Sequence, residues 1–440
     1  MNSTPEFRGE VHQNLHLCEG GREVHAVIIV DAEAGAWSSA AAEVLIIDSS
    51  GSMADPPEKI AKAREAAAAA IDELRDGVAF AVIAGSQGAR MLWPSTRSLV
   101  PADPRTRAEA KDALRRLGTG GGTTIGQWLR LAGELLDARP DAIRHAILLT
   151  DGKNQHEPAG DLVAALRGCE GVFSCDCRGL GTDWSVGELR MIASALQGTV
   201  GIVPEPAGLA EDFRIMMATS MDKTVAEVGM RLWTPEGATV RSVTQVAPTT
   251  EDLTGRRVDS GPLTGDYPTG SWGTESRHYH VCVDVDPMEV GEEKLACRAT
   301  FVEVQADGAE QVLNQEFLHT EPDYSTNLFP HARVRAFWTD DIALSTRIHP
   351  QVAVATGQVE LARAVQEGLD AHQRGDRGRA TARLCRAREL AEQVGNENVL
   401  TRLEQLYDPE TGTFRLDSMS VREEMELDLG STRTAPVRRR

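Results

Sequence analysis

The sequence predicts an α/β domain, in which helices cover both faces of a mainly parallel sheet, inserted into an antiparallel β-sandwich. First, short apolar runs alternate with amphipathic helical segments between about Glu43 and Met221, and repeated β-then-α units are typical of a parallel sheet. Second, the helical pattern stops at Lys223, while strand alternation continues among turn residues to about Phe337. Third, a period-2 pattern also precedes the α/β region.

The first region, residues 1–39, is predicted to hold two strands with a turn at Gly20-Gly21. The alternation of apolar residues is clearest at Val24, Ala26, Ile28 and Val30. Because a two-stranded hairpin alone is marginally stable in water, we expect these strands to pair with the later β region. The α/β domain is then an insertion in the β domain.

The remaining regions follow from composition and periodicity. They are the α/β domain (40–221), the β-sandwich (222–340), a helical hairpin (350–407) and a flexible tail (408–440). We expect Trp233, Trp272 and Trp338 in the sandwich core.

Two amphipathic helices are predicted after Pro350, joined by a turn around Gly375-Asp376. Their apolar faces carry Leu361, Val365 and Leu369 on one helix and Leu384, Ala387, Leu390 and Val394 on the other. The pair resembles a single tetratricopeptide-type hairpin. From Asp408 the pattern fades, which predicts an accessible tail that does not fold on its own.

The charge balance excludes some partners. Acidic residues outnumber basic ones by 66 to 46, for a net charge of −20, which repels nucleic-acid phosphates and anionic membranes. We therefore expect no nucleic-acid and no membrane partner. No export-type start and no apolar run of about 18 residues is apparent, so a cytoplasmic protein is expected.

The seven cysteines indicate reduced thiols rather than a disulfide framework. Cys175 and Cys177 form a C-x-C sequence on a predicted strand, which is compatible with a metal or redox pair. Zinc motifs normally need a second pair, which the sequence lacks, so we interpret both as small core residues.

Side chains with oxygen ligands follow the ends of predicted parallel strands. They are Asp48, Ser50 and Ser52 in DSSGSM, Thr123 after the Gly120–Gly122 loop, and Asp151 after AILLT. Ligands bind in the crevice beyond the carboxyl ends of parallel strands. An oxygen-only ligand set favours Mg²⁺, with Mn²⁺ or Ca²⁺ as alternatives, over zinc or copper. The alternative interpretation is that these residues only cap helices.

This set resembles the metal-ion-dependent adhesion site of von Willebrand factor type A domains, whose pattern is D-x-S-x-S, a Thr after a Gly-rich loop and an Asp after a central strand. The resemblance covers about residues 40–221. It implies a doubly wound sheet of six strands and a metal site formed by the five residues. It also implies an open metal position that an acidic residue of a protein partner fills.

Enzyme motifs have less support. The GTGGGTT segment lacks the Gly-Lys-Ser/Thr end of a phosphate loop, and neither G-x-S-x-G nor H-E-x-x-H occurs. No base is evident for Ser50, so we expect no catalytic activity. His278 and His280 share one strand face and could bind a metal, but a surface or interface position is the more common alternative.

The whole layout is similar to a group of bacterial cytosolic type A domain proteins of high-GC actinobacteria, and arginine exceeds lysine as expected for such a genome. The resemblance implies an adaptor or scaffold in Ser/Thr phosphorylation signalling, with a forkhead-associated domain protein and a Ser/Thr kinase as partners. Thr432 and Thr434 are then candidate phosphorylation sites. Two alternatives are a subunit of an ATPase-driven, metal-chelatase-like complex and a purely structural protein whose site binds no metal.

Overall fold

The computed structural model describes residues 6–33, 40–304, 308–320 and 326–434. The chain divides into two compact units. One comprises Trp37–Ala226 and Gly270–Gly273, and the other comprises Met1–Ala36, Glu227–Thr269 and Thr274–Arg440. The division agrees with the predicted insertion of an α/β domain into a β domain.

Three strands precede the α/β unit. They are β1 (Glu6–Gln13), β2 (His16–Leu17) and β3 (Glu23–Glu33). β1 and β3 pair in antiparallel register, with Gly9 opposite Val30. Gly20 has a φ of 73° in the turn before β3, a conformation that glycine adopts at no steric cost.

The α/β unit contains seven strands and six helices among the described residues. The strands are β4 (Ala40–Asp48), β5 (Ala79–Gly85), β6 (Ala89–Trp93), β7 (Val100–Pro101), β8 (Ala142–Thr150), β9 (Ser174–Leu180) and β10 (Val200–Val203). The helices are α1 (Glu58–Glu73), α2 (Pro104–Arg115), α3 (Ile125–Asp137), α4 (Ala159–Cys169), α5 (Val186–Ala195) and α6 (Leu209–Met221).

The strand order of this sheet is β10-β9-β8-β4-β5-β6, and the two-residue β7 also pairs with β5. Pairs within β10-β9-β8-β4-β5 are parallel, while β6 and β7 are antiparallel to β5. The fold class is confirmed as a doubly wound, mainly parallel sheet. Val44 through Asp48 are all buried, as expected for a central strand covered on both faces.

The β domain continues with eleven strands in the described part of the chain. They are β11 (Val225–Trp233), β12 (Ala238–Ala247), β13 (Glu251–Asp252), β14 (Val258–Gly261), β15 (Thr264–Trp272), β16 (Glu275–Val285), β17 (Glu293–Val304), β18 (Glu310–Val312), β19 (Asn314–Thr320), β20 (Thr326–Phe329) and β21 (Ala332–Trp338).

These strands and the N-terminal ones form two sheets. One has the order β13-β12-β16-β3-β1-β19-β20, and the other has the order β14-β15-β11-β17-β21-β2, with β18 on β17. The predicted pairing of the N-terminal strands with the later β region is therefore confirmed. The sandwich is mainly antiparallel, although β1 pairs with β19 and β2 with β21 in parallel.

The core of the sandwich lies between its sheets. The Phe301 ring of one sheet lies 6.0 Å from Phe7 and 5.9 Å from Tyr279 of the other, measured between centroids. Trp338 is fully buried, as predicted. Trp272 is also fully buried but belongs to the compact unit of the α/β domain. The prediction for Trp233 is wrong, because its ring is half-buried under the Arg298 guanidinium, 5.1 Å from the centroid.

The C-terminal elements are mostly helical. They are α7 (Ile342–Ser345), α8 (Pro350–Gln373), α9 (Arg377–Val394), α10 (Glu397–Leu406), β22 (Tyr407–Asp408), β23 (Thr413–Phe414) and α11 (Val421–Thr432). The predicted hairpin corresponds to α8 and α9, with Leu361, Val365, Leu384 and Leu390 in one buried cluster. Asp376 caps α9 by accepting a hydrogen bond from the Arg379 backbone N–H.

The predicted flexible tail over 408–440 differs from the structure, which folds most of that segment. α11 begins with a capping box between Ser420 and Glu423, and it buries Leu427 and Leu429. Residues two apart on a helix point to nearly opposite sides. α11 contacts both α8 and α10, so it buries apolar residues on two sides. The apolar residues therefore lack the one-sided periodicity by which a surface helix is predicted from sequence. Residues 435–440 lie outside the described residues.

No helix in the described ranges is long and apolar enough to cross a membrane.

Candidate metal centre

Asp48 and Asp151 lie at the same edge of the sheet. β4 and β8 are parallel neighbours, with Ile47 opposite Leu149, so the residues that follow both strands emerge side by side. Asp48 and Asp151 are fully buried. The structure thus brings together the two carboxylates that were predicted at strand ends.

Asp48 organises the loop that follows β4. Its Oδ1 accepts a hydrogen bond from the Ser50 backbone N–H at 2.8 Å, and its Oδ2 accepts one from the Thr150 hydroxyl at 2.6 Å. Burial raises the pKa of Asp48 to about 6, although the hydrogen bonds from Thr150 and Ser50 favour the charged form. Both carboxylate oxygens therefore fix the positions of neighbouring groups.

The two serine hydroxyls converge on Asp151. Ser50 Oγ lies 3.0 Å from Ser52 Oγ, and Ser52 Oγ donates a hydrogen bond to Asp151 Oδ1 at 2.6 Å. Adjacent ligands of an octahedral Mg²⁺ with metal–oxygen distances of about 2.1 Å are roughly 3 Å apart. The two oxygen–oxygen distances, 3.0 and 2.6 Å, are close to this spacing.

Thr123 reaches the same place from the glycine-rich loop. Gly121 has a φ of 82°, which favours glycine, and its carbonyl accepts a hydrogen bond from the Gly51 backbone N–H at 3.0 Å. A Cβ built on Gly152 would lie 3.5 Å from Thr123 Oγ1 and 3.6 Å from Ser52 Oγ. Both hydroxyls thus face one point beside Asp151, so all five predicted residues lie at a common site.

Side chains in the segment after Asp151 accept hydrogen bonds from the backbone around Thr123 and so hold it in place. The sequence did not indicate this role of the segment. His156 Nδ1 accepts a hydrogen bond from the Thr123 backbone N–H at 3.1 Å. Asn154 Oδ1 accepts from the backbone N–H of Ile125, the first residue of α3, and Glu157 Oε1 accepts from that of Gly126. The only sequence signal for this role is the group of polar residues after Asp151, and that group matches no short motif.

Lys59 is a second residue that sequence reasoning missed. Its Nζ donates to Asp151 Oδ2 at 2.8 Å and lies 4.0 Å from Asp183 Oδ2. The Lys59 side chain is 12% exposed, whereas that of Asp183 is 78% exposed. A lysine in the first turn of an amphipathic helix looks like any solvated surface residue, so no sequence signal distinguishes it.

The other candidates do not form metal sites. Within the described ranges, no group of three or more His, Cys, Asp and Glu side chains could hold a metal ion. Cys175 and Cys177 are free, fully buried thiols on β9, which confirms the core interpretation. His280 is buried rather than at a surface; its Nε2 lies 3.2 Å from Nδ1 of His25, and burial lowers its pKa to about 4.

The candidate phosphorylation sites, Thr432 and Thr434, are held in the folded structure by hydrogen bonds. Thr432 Oγ1 donates to the Leu429 carbonyl at 3.0 Å, and the Thr432 carbonyl accepts from the Thr250 backbone N–H at 2.7 Å. The Thr434 backbone N–H donates to the Pro248 carbonyl, and Thr434 Oγ1 is a buried oxygen. Both threonines therefore lie on a folded, half-buried segment, whereas an unfolded tail was expected.

Comparisons with known proteins agree with the fold and the site. A family model of the von Willebrand factor type A domain matches residues 42–202. A structure described as von Willebrand factor type A from Catenulispora acidiphila is 48% identical, covers 99% of this chain and 98% of its own, and has a TM-score of 0.91. The ArnB paralog VWA2 from Sulfolobus acidocaldarius is similar in fold, with 14% identity, coverage of 98% and 97%, and a TM-score of 0.60.

Among curated proteins, the uncharacterized protein sll0103 of Synechocystis sp. is 31% identical over 221 residues, which is 48% of this chain. The match spans 49% of that protein, about half its length. With the domain match over residues 42–202 and a 48% identical structure that covers nearly its whole length, the chain belongs to the von Willebrand factor type A family.

Proposed function

We propose that this protein is a non-enzymatic adaptor or scaffold that works in the cytoplasm and binds a protein partner through a divalent cation. The observation that carries the proposal is the convergence of Ser50, Ser52 and Thr123 hydroxyls beside the buried Asp151 carboxylate. Oxygen ligands of this kind favour Mg²⁺, with Mn²⁺ or Ca²⁺ as alternatives.

The chain's own residues would hold the ion through neutral hydroxyls and one neighbouring carboxylate, while Asp48 positions the Ser50 loop from behind. A bound cation supplies electrophilic attraction for a carboxylate. Three neutral ligands leave the cation with uncompensated positive charge, so an acidic residue of the partner gains from binding there. Ser52 is exposed, which makes this side of the site accessible to a partner.

The hydrogen-bonding pattern favours binding over catalysis. Ser50 Oγ contacts the Ser52 hydroxyl, and the Ser50 side chain also hydrogen-bonds to Asp48. The Ser52 hydroxyl donates to Asp151, which also pairs with the Lys59 ammonium. A nucleophilic serine is typically activated by a histidine base within hydrogen-bond reach, and no described hydrogen bond joins either serine hydroxyl to a histidine. Here the carboxylate orients hydroxyls around a cation position instead.

Calorimetry with MgCl₂ on the full chain tests the metal centre. We expect wild type to bind one Mg²⁺ and Asp151→Ala to lose detectable binding, since that variant removes the carboxylate next to the hydroxyls. Ser98→Ala is the control, because Ser98 is exposed and bonds only locally to Thr96. Equal Mg²⁺ affinity in wild type and Asp151→Ala would show that the metal centre is misassigned.

Partner binding is tested separately by affinity capture from the native host with and without EDTA. Proteins retained by wild type and Ser98→Ala, but released by EDTA and absent from Asp151→Ala, identify a metal-dependent partner. A set of retained proteins that is the same for wild type, wild type with EDTA, Ser98→Ala and Asp151→Ala would contradict metal-dependent binding.

A forkhead-associated domain protein and a Ser/Thr kinase are the partners that the family resemblance suggests. We propose docking through phosphorylated Thr432 or Thr434, which requires that residues 431–434 first leave their hydrogen bonds to Gln358, Thr250 and Pro248. Phosphate on either threonine in protein from the native host, with tighter binding of the phosphorylated peptide to a forkhead-associated domain, is the expected result. Unmodified threonines in that material would contradict it.

A further inference from the structure

The ammonium of Lys59 binds the carboxylate that the metal centre uses. Asp151 Oδ1 accepts the Ser52 hydroxyl, and Asp151 Oδ2 accepts Lys59 Nζ at 2.8 Å. Asp151 is fully buried and the Lys59 side chain is 12% exposed. The contact is therefore a largely desolvated ion pair, in which each charge depends strongly on the other.

A second carboxylate lies within reach of the same ammonium. Asp183 Oδ2 is 4.0 Å from Lys59 Nζ, and its side chain is 78% exposed. The lysine stem is a flexible four-carbon chain and its ammonium can reorient easily. Lys59 can thus move from a buried carboxylate to an exposed one with a small displacement of its end.

We propose that Lys59 is an internal competitor of the divalent cation, and that metal binding transfers its ammonium from Asp151 to Asp183. This inference rests on the proposed function of the centre as a metal site. A divalent cation beside Asp151 and an ammonium 2.8 Å from the same carboxylate repel one another in a poorly solvated environment. Binding of the cation therefore has to displace the ammonium, and the measured metal affinity is lower than the oxygen ligands alone would give.

The competition also explains how two buried carboxylates coexist at one site. Asp48 and Asp151 are both fully buried, and an uncompensated buried carboxylate is strongly destabilising. Lys59 compensates Asp151 before a cation binds. The fold of the centre then does not depend on the cation, and partner binding can follow the cation concentration.

The test compares Mg²⁺ binding by the full-length wild type, Lys59→Met and Lys62→Met in calorimetric titrations with MgCl₂. Methionine keeps most of the apolar stem of lysine and removes the charge. Lys62 is the matched control because it lies on the same helix, is 39% exposed and pairs with Glu65 instead. We expect Lys59→Met to bind Mg²⁺ about tenfold more tightly or better, and Lys62→Met to match wild type.

Asp183→Asn tests the transfer itself, and since the residue is exposed the variant should fold normally. Removing the second acceptor should weaken Mg²⁺ binding in wild type by about twofold to fivefold, because displaced Lys59 then lacks a carboxylate partner. In the Lys59→Met background the same substitution should have no effect. Electron paramagnetic resonance of Mn²⁺ titrations gives a second readout that does not depend on the heat of binding.

The outcomes separate this inference from the metal centre. If wild type binds Mg²⁺ and Lys59→Met binds it equally or more weakly, the competition is wrong while the proposed function stands. The competition is also wrong if Asp183→Asn acts equally with and without Lys59. If neither wild type nor Lys59→Met binds Mg²⁺ or Mn²⁺, both proposals fail. If only Lys59→Met binds, the competition by Lys59 stands, and the proposed function of the wild-type centre as a metal site fails.

Discussion

His145 Nδ1 lies 2.8 Å from Glu43 Oε2 in the interior of the type A domain. The other ring nitrogen, Nε2, lies 3.2 Å from Asp176 Oδ2, so one imidazole joins β4, β8 and β9. Burial disfavours the charged imidazole, but the two carboxylates outweigh burial and raise the pKa of His145 to about 10. Despite its own burial, Asp176 has its pKa lowered well below the usual range by His145.

This relationship predicts an alkaline loss of stability. The pKa of His145 is raised from an unfolded value of 6.5 to about 10. Its contribution to the free energy of unfolding is therefore complete below pH 6.5 and is lost as the pH rises toward 10. We expect His145→Gln to destabilise the domain by about 3–5 kcal/mol near neutral pH, because the buried Glu43 and the partly buried Asp176 lose their cation.

Denaturant unfolding at a series of pH values between about 6 and 10 measures this effect. The difference between wild type and His145→Gln should shrink toward the alkaline end. His372→Gln, which changes a histidine on α8 in the other compact unit, is the control. A difference that stays constant over this range would contradict a charged His145.

A second prediction concerns the loop that carries Thr123. A Cβ on Gly122 would overlap the His156 imidazole, whose Nδ1 accepts from the Thr123 backbone N–H. Gly122→Ala should displace the exposed His156 ring and break its hydrogen bond to Thr123, cost about 0.5–1.5 kcal/mol of stability as a lost hydrogen bond does, and weaken Mg²⁺ binding by about tenfold. Gly118→Ala is the matched control, since nothing lies within 4 Å of its Cβ. Calorimetric affinities that are equal for both variants would rule out a role of this contact in positioning Thr123.

The five residues of the candidate metal centre could be predicted because each belongs to a local signal. Asp48 and Asp151 end apolar strands, and the serines and Thr123 follow glycines or strand ends within a few residues. Parallel strands then bring these signals to one edge. Lys59 could not be predicted, because its role depends on the distance of 2.8 Å to a residue 92 positions away, which no local pattern encodes.

The β domain shows a similar division. Period-2 alternation predicted the strands, but it does not encode which sheet a strand joins. β1 and β3 lie in one sheet, whereas the short β2 between them crosses to the other and pairs with β21. α11 was missed for a different reason, since burial on two sides removes the helical period from its apolar residues.

A third prediction links metal binding to folding. A ligand that binds only the folded state at about 100 times its Kd stabilises that state by about 2.7 kcal/mol. MgCl₂ should therefore raise the Tm of wild type, and EDTA should reverse the rise. Ser52→Ala should lose most of this response because it removes the hydroxyl 2.6 Å from Asp151, whereas Ser98→Ala should keep it. An equal rise of Tm in NaCl at matched ionic strength would mean that screening, not a site, causes the effect.

The last prediction concerns α11, which holds the candidate phosphorylation sites against the fold. Leu427 is fully buried in the cluster that α11 shares with the other C-terminal helices, so Leu427→Ala should cost about 2–5 kcal/mol. Because residues 431–434 depend on α11 for their hydrogen bonds to Gln358 and Thr250, the end of the helix should open more often. Trypsin cleavage after the exposed Arg433, followed by mass spectrometry, measures this opening, because the backbone must unfold locally before it is cut. Val421→Ala is the control, since Val421 is 57% exposed at the first position of the same helix.

Cleavage should be at least tenfold faster in Leu427→Ala than in Val421→Ala, which corresponds to about 1.4 kcal/mol of lost local stability. Equal cleavage rates would mean that α11 does not control access to Thr432 and Thr434.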